Sequence, residues 1–340
     1  MYNFCTLFDK NYFYKGLTMY NSLANNCSEE FNLWVLCMDD LTHDLLKKMN
    51  LSKVKLISLN EFENPELIEV KPERNVAEYS WTCASNFIWF LLQKNPEWDM
   101  AIYLDADLFF FNDPKVLISE LGNKDMMITE HRYTKKYDQT YASGKYCVQF
   151  MIFKNNQNGL YVLDWWRKAC LDWCFGYLDN GRLGDQKYLD DWMTRFKGVH
   201  ELQHLGGGVA PWNVQQYDFF EKNNKVFGHI KGAKKDWPLV FYHFHGFFLM
   251  SPKKYLSAPG YDLSKNARIN ICDNYFRALQ DSIKFVSGFS PDFNYGYKFI
   301  PIKERIFFRL GRFGCVRLAA KIFRIIINKI ILWKKSLKHV

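Results

Sequence analysis

Apolar and polar positions alternate between two periods along this chain. "YNFCTLF" is a short apolar run that breaks at Asp9, Asn11 and Tyr12, and "YKGLTMYNSLANN" then takes up the spacing of an amphipathic helix. "FNLWVLCMDD" is a second apolar run, helical "LTHDLLKKMN" follows it, and "VKLISLNEF" reads as a third strand. This β-α-β-α-β order predicts an α/β fold with an open, mostly parallel sheet flanked by helices. Such sheets take ligands beyond the carboxyl ends of their strands, where Asp9 and Asp105 fall. Further on, the pattern predicts a helix over "SWTCASNFIWFLLQKN", closed by Pro96, and the strand "MAIYL". A short helix from Pro114 to Gly122, the strands "DMMITE" and "YCVQFMIFKNN", and a helix over 159–175 follow. "GRLGDQKYLDDWMTRF" reads as a turn and helix, "HLGGGVAPWN" as a loop, and "PLVFYHFHG" as a strand; 256–300 shows no consistent period.

Three stretches carry candidate chemistry. In "AIYLDADLFFF" a buried-strand pattern is interrupted by Asp105 and Asp107, and carboxylates there carry a heavy desolvation cost unless something compensates them. A strand ending at the acids and facing a divalent cation would do so, because Mg²⁺ and Mn²⁺ take oxygen ligands and complete their shells with substrate phosphates. The bland alternative is a turn with solvated aspartates. "YHFHG" puts His243 and His245 on one side of a strand end, where a neutral imidazole suits Mn²⁺, although two core histidines would look the same. "LGDQKYLDDW" places Asp185 before a helix, so it reads as an N-cap or as a carboxylate held on a turn beside Gln186, and the residues alone leave both open. "GGGVAPWN" lacks the Lys-Ser/Thr of a P-loop, and "DADLF" lacks the threonine of an aspartyl-phosphate enzyme.

Composition narrows the class. The 48% apolar and 18% aromatic fractions exclude a disordered chain, and 340 residues suffice for one large or two modest domains. The net charge of +9 is uneven: from Lys303 to Val340 six Lys, five Arg and one Glu carry +10, which leaves the rest near −1. A near-neutral body argues against nucleic acid as a partner. Bulky apolar residues interleaved with basic ones in the tail read as an amphipathic helix on an anionic membrane, against a docked helix with solvated charges. Nine scattered cysteines without a C-x-x-C pair, no basic-then-apolar leader, and no uncharged run of roughly 18 apolar residues predict a cytoplasmic protein, peripherally held at the inner face of the plasma membrane.

In their order, "TLFDKNY", "LDADLFF", "YCVQFMIF", "GDQKYLDDW" and "HFHG" resemble GT-A nucleotide-sugar glycosyltransferases over about residues 1–250. The resemblance is strongest to the family-eight type that includes glycogenin and bacterial lipopolysaccharide galactosyltransferases, and to a bacterial subgroup of glycosyltransferase-like sequences. It implies a GT-A (Rossmann-like) domain over 1–255, an extension packing on it over 256–302, and the tail over 303–340. It also implies a Mn²⁺ (or Mg²⁺) held by Asp105, Asp107 and His243. Thr6, Asp9, Asn11 and Tyr12 would contact the nucleoside, Ala106 would lie against the ribose, and Asp185 and Gln186 would sit near the anomeric carbon. The family's Asn-x-Gly is Cys147-Val148-Gln149 here, so Cys147 and Gln149 would shape the donor-sugar pocket. The lysine that follows H-x-x-G in the family is missing, so Lys253 or Lys254 replaces it or the diphosphate is gripped differently.

The resulting expectation is a metal-dependent, retaining transfer from a nucleoside-diphosphate sugar, UDP-sugar first among them. The acceptor would be a glycolipid or other precursor of lipopolysaccharide or capsule; the oligomeric state is left open. The rivals are a catalytically silent sugar-binding scaffold at the membrane and a sugar-phosphate nucleotidyltransferase, whose glycine-rich basic loop "FDKNYFYKG" does not supply.

Overall fold

The computed structural model describes residues 1–298 together with Ile300 and Pro301. The tail expected over 303–340 lies outside the described residues. Strands β1 (Tyr2–Phe8), β2 (Phe31–Cys37), β3 (Val54–Ser58) and β4 (Met100–Leu104) come first in the chain, and β5 (Leu108–Phe110) follows Asp107. Next come β6 (Met126–Glu130), β7 (Tyr146–Lys154) and β8 (Val199–Glu201). The main sheet has the order β3-β2-β1-β4-β7-β6-β8, and β7 alone runs antiparallel to its neighbours. The mixed, mostly parallel sheet expected from the sequence is therefore present. Helices α1 (Phe13–Asn26), α2 (Asp40–Met49), α3 (Val76–Lys94) and α4 (Gln157–Asp172) flank it.

Strand alternation sorts the core into two layers. On β1, Phe4 and Phe8 face the layer that holds α1 and α2, whereas Cys5 and Leu7 face the layer built on Phe87, Ile88 and Leu91 of α3 and Trp166 of α4. Helix α3 is hydrophobic around most of its circumference, which suits a helix buried between sheet and α4. Asn75 starts it with a capping box to Glu78, giving partners to end amides that the helix itself leaves without one.

The remaining strands form small sheets whose buried residues join the layer of α1 and α2: β9 (Tyr217–Lys222), β10 (Lys225–Ile230) and β11 (Asp236–Pro238) make a meander, and β12 (Phe241–His243) pairs with β5. β13 (Phe247–Ser251) and β14 (Lys254–Ser257) form a hairpin.

Three local expectations need correction. The run "VKLISLNEF" leaves the sheet at Ser58, whose hydroxyl accepts from the Glu61 amide and starts a short helix, Leu59–Phe62. Asp185 does not cap a helix: Gln186–Asp191 is a 3-10 turn, only Trp192–Arg195 continues as a single α-turn, and the Asp185 side chain makes no capping bond. Residues 256–300, without a readable period, contain the 17-residue helix α5 (Asp273–Phe289). Tyr275, Leu279 and Val286 of α5 join the same apolar layer as Leu17 and Leu23 of α1, and Thr18 shares a 2.7 Å hydroxyl contact with Ser282.

Candidate active site

Strands β1 and β4 both end at one edge of the sheet, and each runs on into a polar loop. After β1, the Asp9 carboxylate accepts from the amides of Asn11 (3.0 Å) and Tyr12 (3.1 Å) and from the Asn11 side chain (2.8 Å). This Asx-type turn is folded before α1 begins. After β4, the Asp105 amide donates to the Gln149 carbonyl and the Leu108 amide to the Asp105 carbonyl, so the two acids sit on a tight turn between strands. The apolar run is thus two strands, with its carboxylates at the seam. β12 pairs with β5 so that His243 lies opposite Leu108, and the Phe244 amide donates to the Asp107 carbonyl.

This register brings His243 Nε2 to 3.1 Å from Asp107 Oδ1 and 3.7 Å from Asp105 Oδ2. Adjacent oxygen ligands on an octahedral Mg²⁺-sized cation lie about 3 Å apart, so these separations and this donor set of two carboxylates and an imidazole fit a Mn²⁺ or Mg²⁺ ion. Asp105, His243 and Cys147 also present ligand atoms within 4.8 Å of one another, which puts a thiol at the same place. On the far side of Asp107, Lys15 Nζ lies 3.7 Å from Oδ2.

Burial and these neighbours set the protonation states. Burial pushes the Asp105 carboxyl up to about 6, with His243 opposing and Asp107 adding to the rise. Burial acts the same way on Asp107, but His243 and Lys15 outweigh it and hold that carboxyl below the ordinary range. His243 is driven well above its ordinary value because Asp107 overcomes its burial. Asp185 is only 6% exposed, and burial, reinforced by Asp105, pushes its carboxyl up to about 8. Two acids across one cavity are thereby held in opposite states, which is how a site divides acid and charge-stabilising roles.

A cavity of about 590 Å³ joins these groups. It is lined by Asp9, Asn11, Tyr12, Asp105, Ala106, Asp107, Cys147, Asp185, Gln186, His243 and His245. Two residues expected at the site do not line it. Thr6 is fully buried and shares the face of Phe4 and Phe8, and Gln149 is fully buried with both side-chain amide atoms lacking hydrogen-bond partners. Lys253 and Lys254 are exposed at the β13–β14 turn, away from the lining, so neither stands in for the missing lysine.

The structure also adds residues that no local pattern marked. Trp81 of α3 reaches the lining beside Gly184, where an added Cβ would lie 3.4 Å from the indole. His131 and Tyr133, after β6, stack at 4.6 Å, and Trp212 packs edge-on against His131, His243 and His245. His131 Nδ1 faces the Lys145 carbonyl at 3.1 Å and so carries the proton there, and burial holds the ring neutral, at about 3. Trp212 donates to the His131 carbonyl at 2.9 Å, fixing this aromatic wall from the "GGGVAPWN" loop.

An open α/β sheet with paired acids at its strand ends and a deep cavity beyond them defines the GT-A glycosyltransferase fold. It superposes on the galactosyltransferase LgtC in complex with donor and acceptor sugar analogues at a TM-score of 0.50, covering 89% of this chain and 99% of LgtC; at 12% identity the correspondence is one of fold. No protein-family profile matches the chain. The chain belongs to the family of the Bacillus subtilis (strain 168) protein YfnD, with which it is 32% identical over 303 residues, 87% of this chain and 94% of YfnD. YfnF of the same organism is 27% identical over 298 residues, 86% of this chain and 96% of YfnF. No helix among the described residues is long and apolar enough to cross a membrane.

Proposed function

We propose that this chain is a metal-dependent glycosyltransferase that moves a sugar, with retention of anomeric configuration, from a UDP-sugar to a glycolipid or other cell-surface glycan precursor at the inner face of the bacterial plasma membrane. The observation that carries the reading is the meeting of Asp105, Asp107 and His243 at 3.1 to 3.7 Å on the wall of a cavity that also holds Asp185. A divalent cation held by those three side chains would act as a Lewis acid toward the leaving diphosphate. The prefolded Asp9–Tyr12 turn presents the nucleoside side of the cavity with its own hydrogen bonds already made. Ala106, small and 7% exposed, leaves room for a ribose to lie against the strand end, and Cys147 faces the donor sugar. Thr6 and Gln149 support that floor from within the sheet.

Asp185 is neutral at pH 7 in the free chain. Positive charge developing at the anomeric carbon would favour its ionised form, releasing the proton to solvent, and the anion would then stabilise that charge. Gln186, tied by its Nε2 to the Ser143 carbonyl at 2.8 Å, holds the turn that presents Asp185. The basic tail would keep the cavity near a lipid-linked acceptor.

The test is thermal shift and donor hydrolysis by the full chain against UDP-, GDP-, dTDP- and CDP-sugars, with Mn²⁺ and with a chelator. A response to one donor that the chelator abolishes supports the reading. A flat panel refutes it and leaves a silent sugar-binding protein.

A further inference from the structure

Lys15 does no evident work for the helix it belongs to. It stands in the first turn of α1, a position where a cation opposes the helix dipole, and that turn contains no acidic residue. Its side chain is only 13% exposed, with the ammonium 4.3 Å from the Tyr12 ring centroid and 3.7 Å from Asp107 Oδ2. Lys298, whose side chain lies over Phe248, is close enough to repel it electrostatically. No lysine lines the cavity itself, and among the described residues Lys15, at 3.7 Å from Asp107 Oδ2, is the lysine that ion-pairs with the acids from behind it.

Charge counting then gives Lys15 a definite consequence. With a divalent ion in place, Asp105 and Asp107 ionised and His243 neutral as a ligand, Lys15 leaves the metal-loaded cluster at +1. That excess disfavours the metal by itself and is relieved only when an anion arrives. Without Lys15 the metal-loaded cluster is neutral, and a diphosphate would then be drawn into a site with no surplus positive charge. We propose that Lys15 couples the two ligands: it weakens divalent-cation binding to the empty site and strengthens diphosphate binding to the metal-loaded one, so that cation and donor enter together. This rests on the donor-site reading above and deepens it. Lys15 acts here as a charge-balancing residue through Asp107, and need not touch the sugar.

The test is isothermal titration calorimetry of the full chain with MnCl₂ alone, and with UDP in the presence of saturating Mn²⁺, for wild type, Lys15→Met and Lys15→Arg. Methionine keeps the unbranched stem of the lysine and drops only its ammonium, and circular dichroism melts confirm folding of each variant. Lys15→Met is expected to bind Mn²⁺ alone roughly fivefold or more tighter and UDP at saturating Mn²⁺ roughly fivefold or more weaker, the lower end of ordinary ligand coupling. Lys15→Arg should behave as wild type. Opposite signs are the signature, since a merely structural lysine would move both affinities in the same direction. Changes in Lys15→Met that share a sign, or that stay within about twofold, overturn the coupling alone. A wild-type chain that takes up neither Mn²⁺ nor any of UDP, GDP, dTDP and CDP overturns the donor-site reading and the coupling with it.

Discussion

Asp185→Asn should make the free chain more stable at neutral pH while removing its transfer activity. The native carboxyl is pushed up to about 8, against about 3.9 for an unfolded aspartate. Between those values the unfolded chain has lost the proton that the native chain retains, so the native state is progressively disfavoured as pH rises from about 4 to about 8 and the loss levels off above. At pH 7 the gap of about three pH units, at 1.36 kcal/mol per unit, sets a ceiling of about 4 kcal/mol; relaxation and water entry into the cavity reduce it to about 2 kcal/mol. Asparagine keeps the shape and cannot ionise, and no side-chain capping bond is lost with it. The assay is urea unfolding in a chelator-containing buffer at pH 5, 6, 7 and 8. The difference between variant and wild type should grow in the variant's favour with pH, with unchanged m-value. A variant less stable than wild type at every pH would return Asp185 to a structural role and refute the burial argument.

Asp107→Asn should abolish Mn²⁺-dependent tightening of UDP binding, read by calorimetry. It should lower stability by about 1–3 kcal/mol, because His243 and Lys15 lose their shared anion. Gly208→Ala should cost about 1–3 kcal/mol in urea unfolding, since Gly208 has φ +79° and a Cβ there would lie 2.7 Å from Thr129 Cγ2; a neutral result would mean the loop can shift. Leu279→Ala in α5 should cost about 2–5 kcal/mol, and truncation after residue 255 should prevent cooperative folding, because Leu279 is fully buried in the layer it shares with α1. Removing residues 303–340 should release the chain from vesicles of anionic lipid in a sedimentation assay; undiminished binding would take the tail out of the membrane proposal.

The parts of this site that were legible in the sequence are those where one strand carries the whole signal. A buried strand cannot hold two carboxylates unsupported, so "LDADLFF" had to end at its acids, and "FYHFHG" announced its histidines in the same way. Helix α5 was not legible because Tyr275, Leu279, Ser282 and Val286 are its buried positions, while Phe285 stays 43% exposed and blurs the period. Trp81, His131 and Tyr133 were not legible for a different reason. Trp81 sits in a helix that is apolar nearly all round, so nothing local separates a cavity-lining indole from a core one, and its position depends on Gly184 arriving from a turn much later in the chain.

Lys15 shows where that limit bears on function. From sequence it is the single lysine of an amphipathic helix with nothing to mark it, and the expected phosphate-binding lysine was sought after H-x-x-G, where the chain continues "FFLM". Charge balance at a metal site constrains the sum of nearby charges and not the segment that supplies them. A chain that omits a cation at one position can therefore restore it from any element whose first turn reaches the same carboxylate. The Asp9–Tyr12 turn does this for α1: it ends β1, starts the helix, and sets Lys15, within the first helical turn, against Asp107.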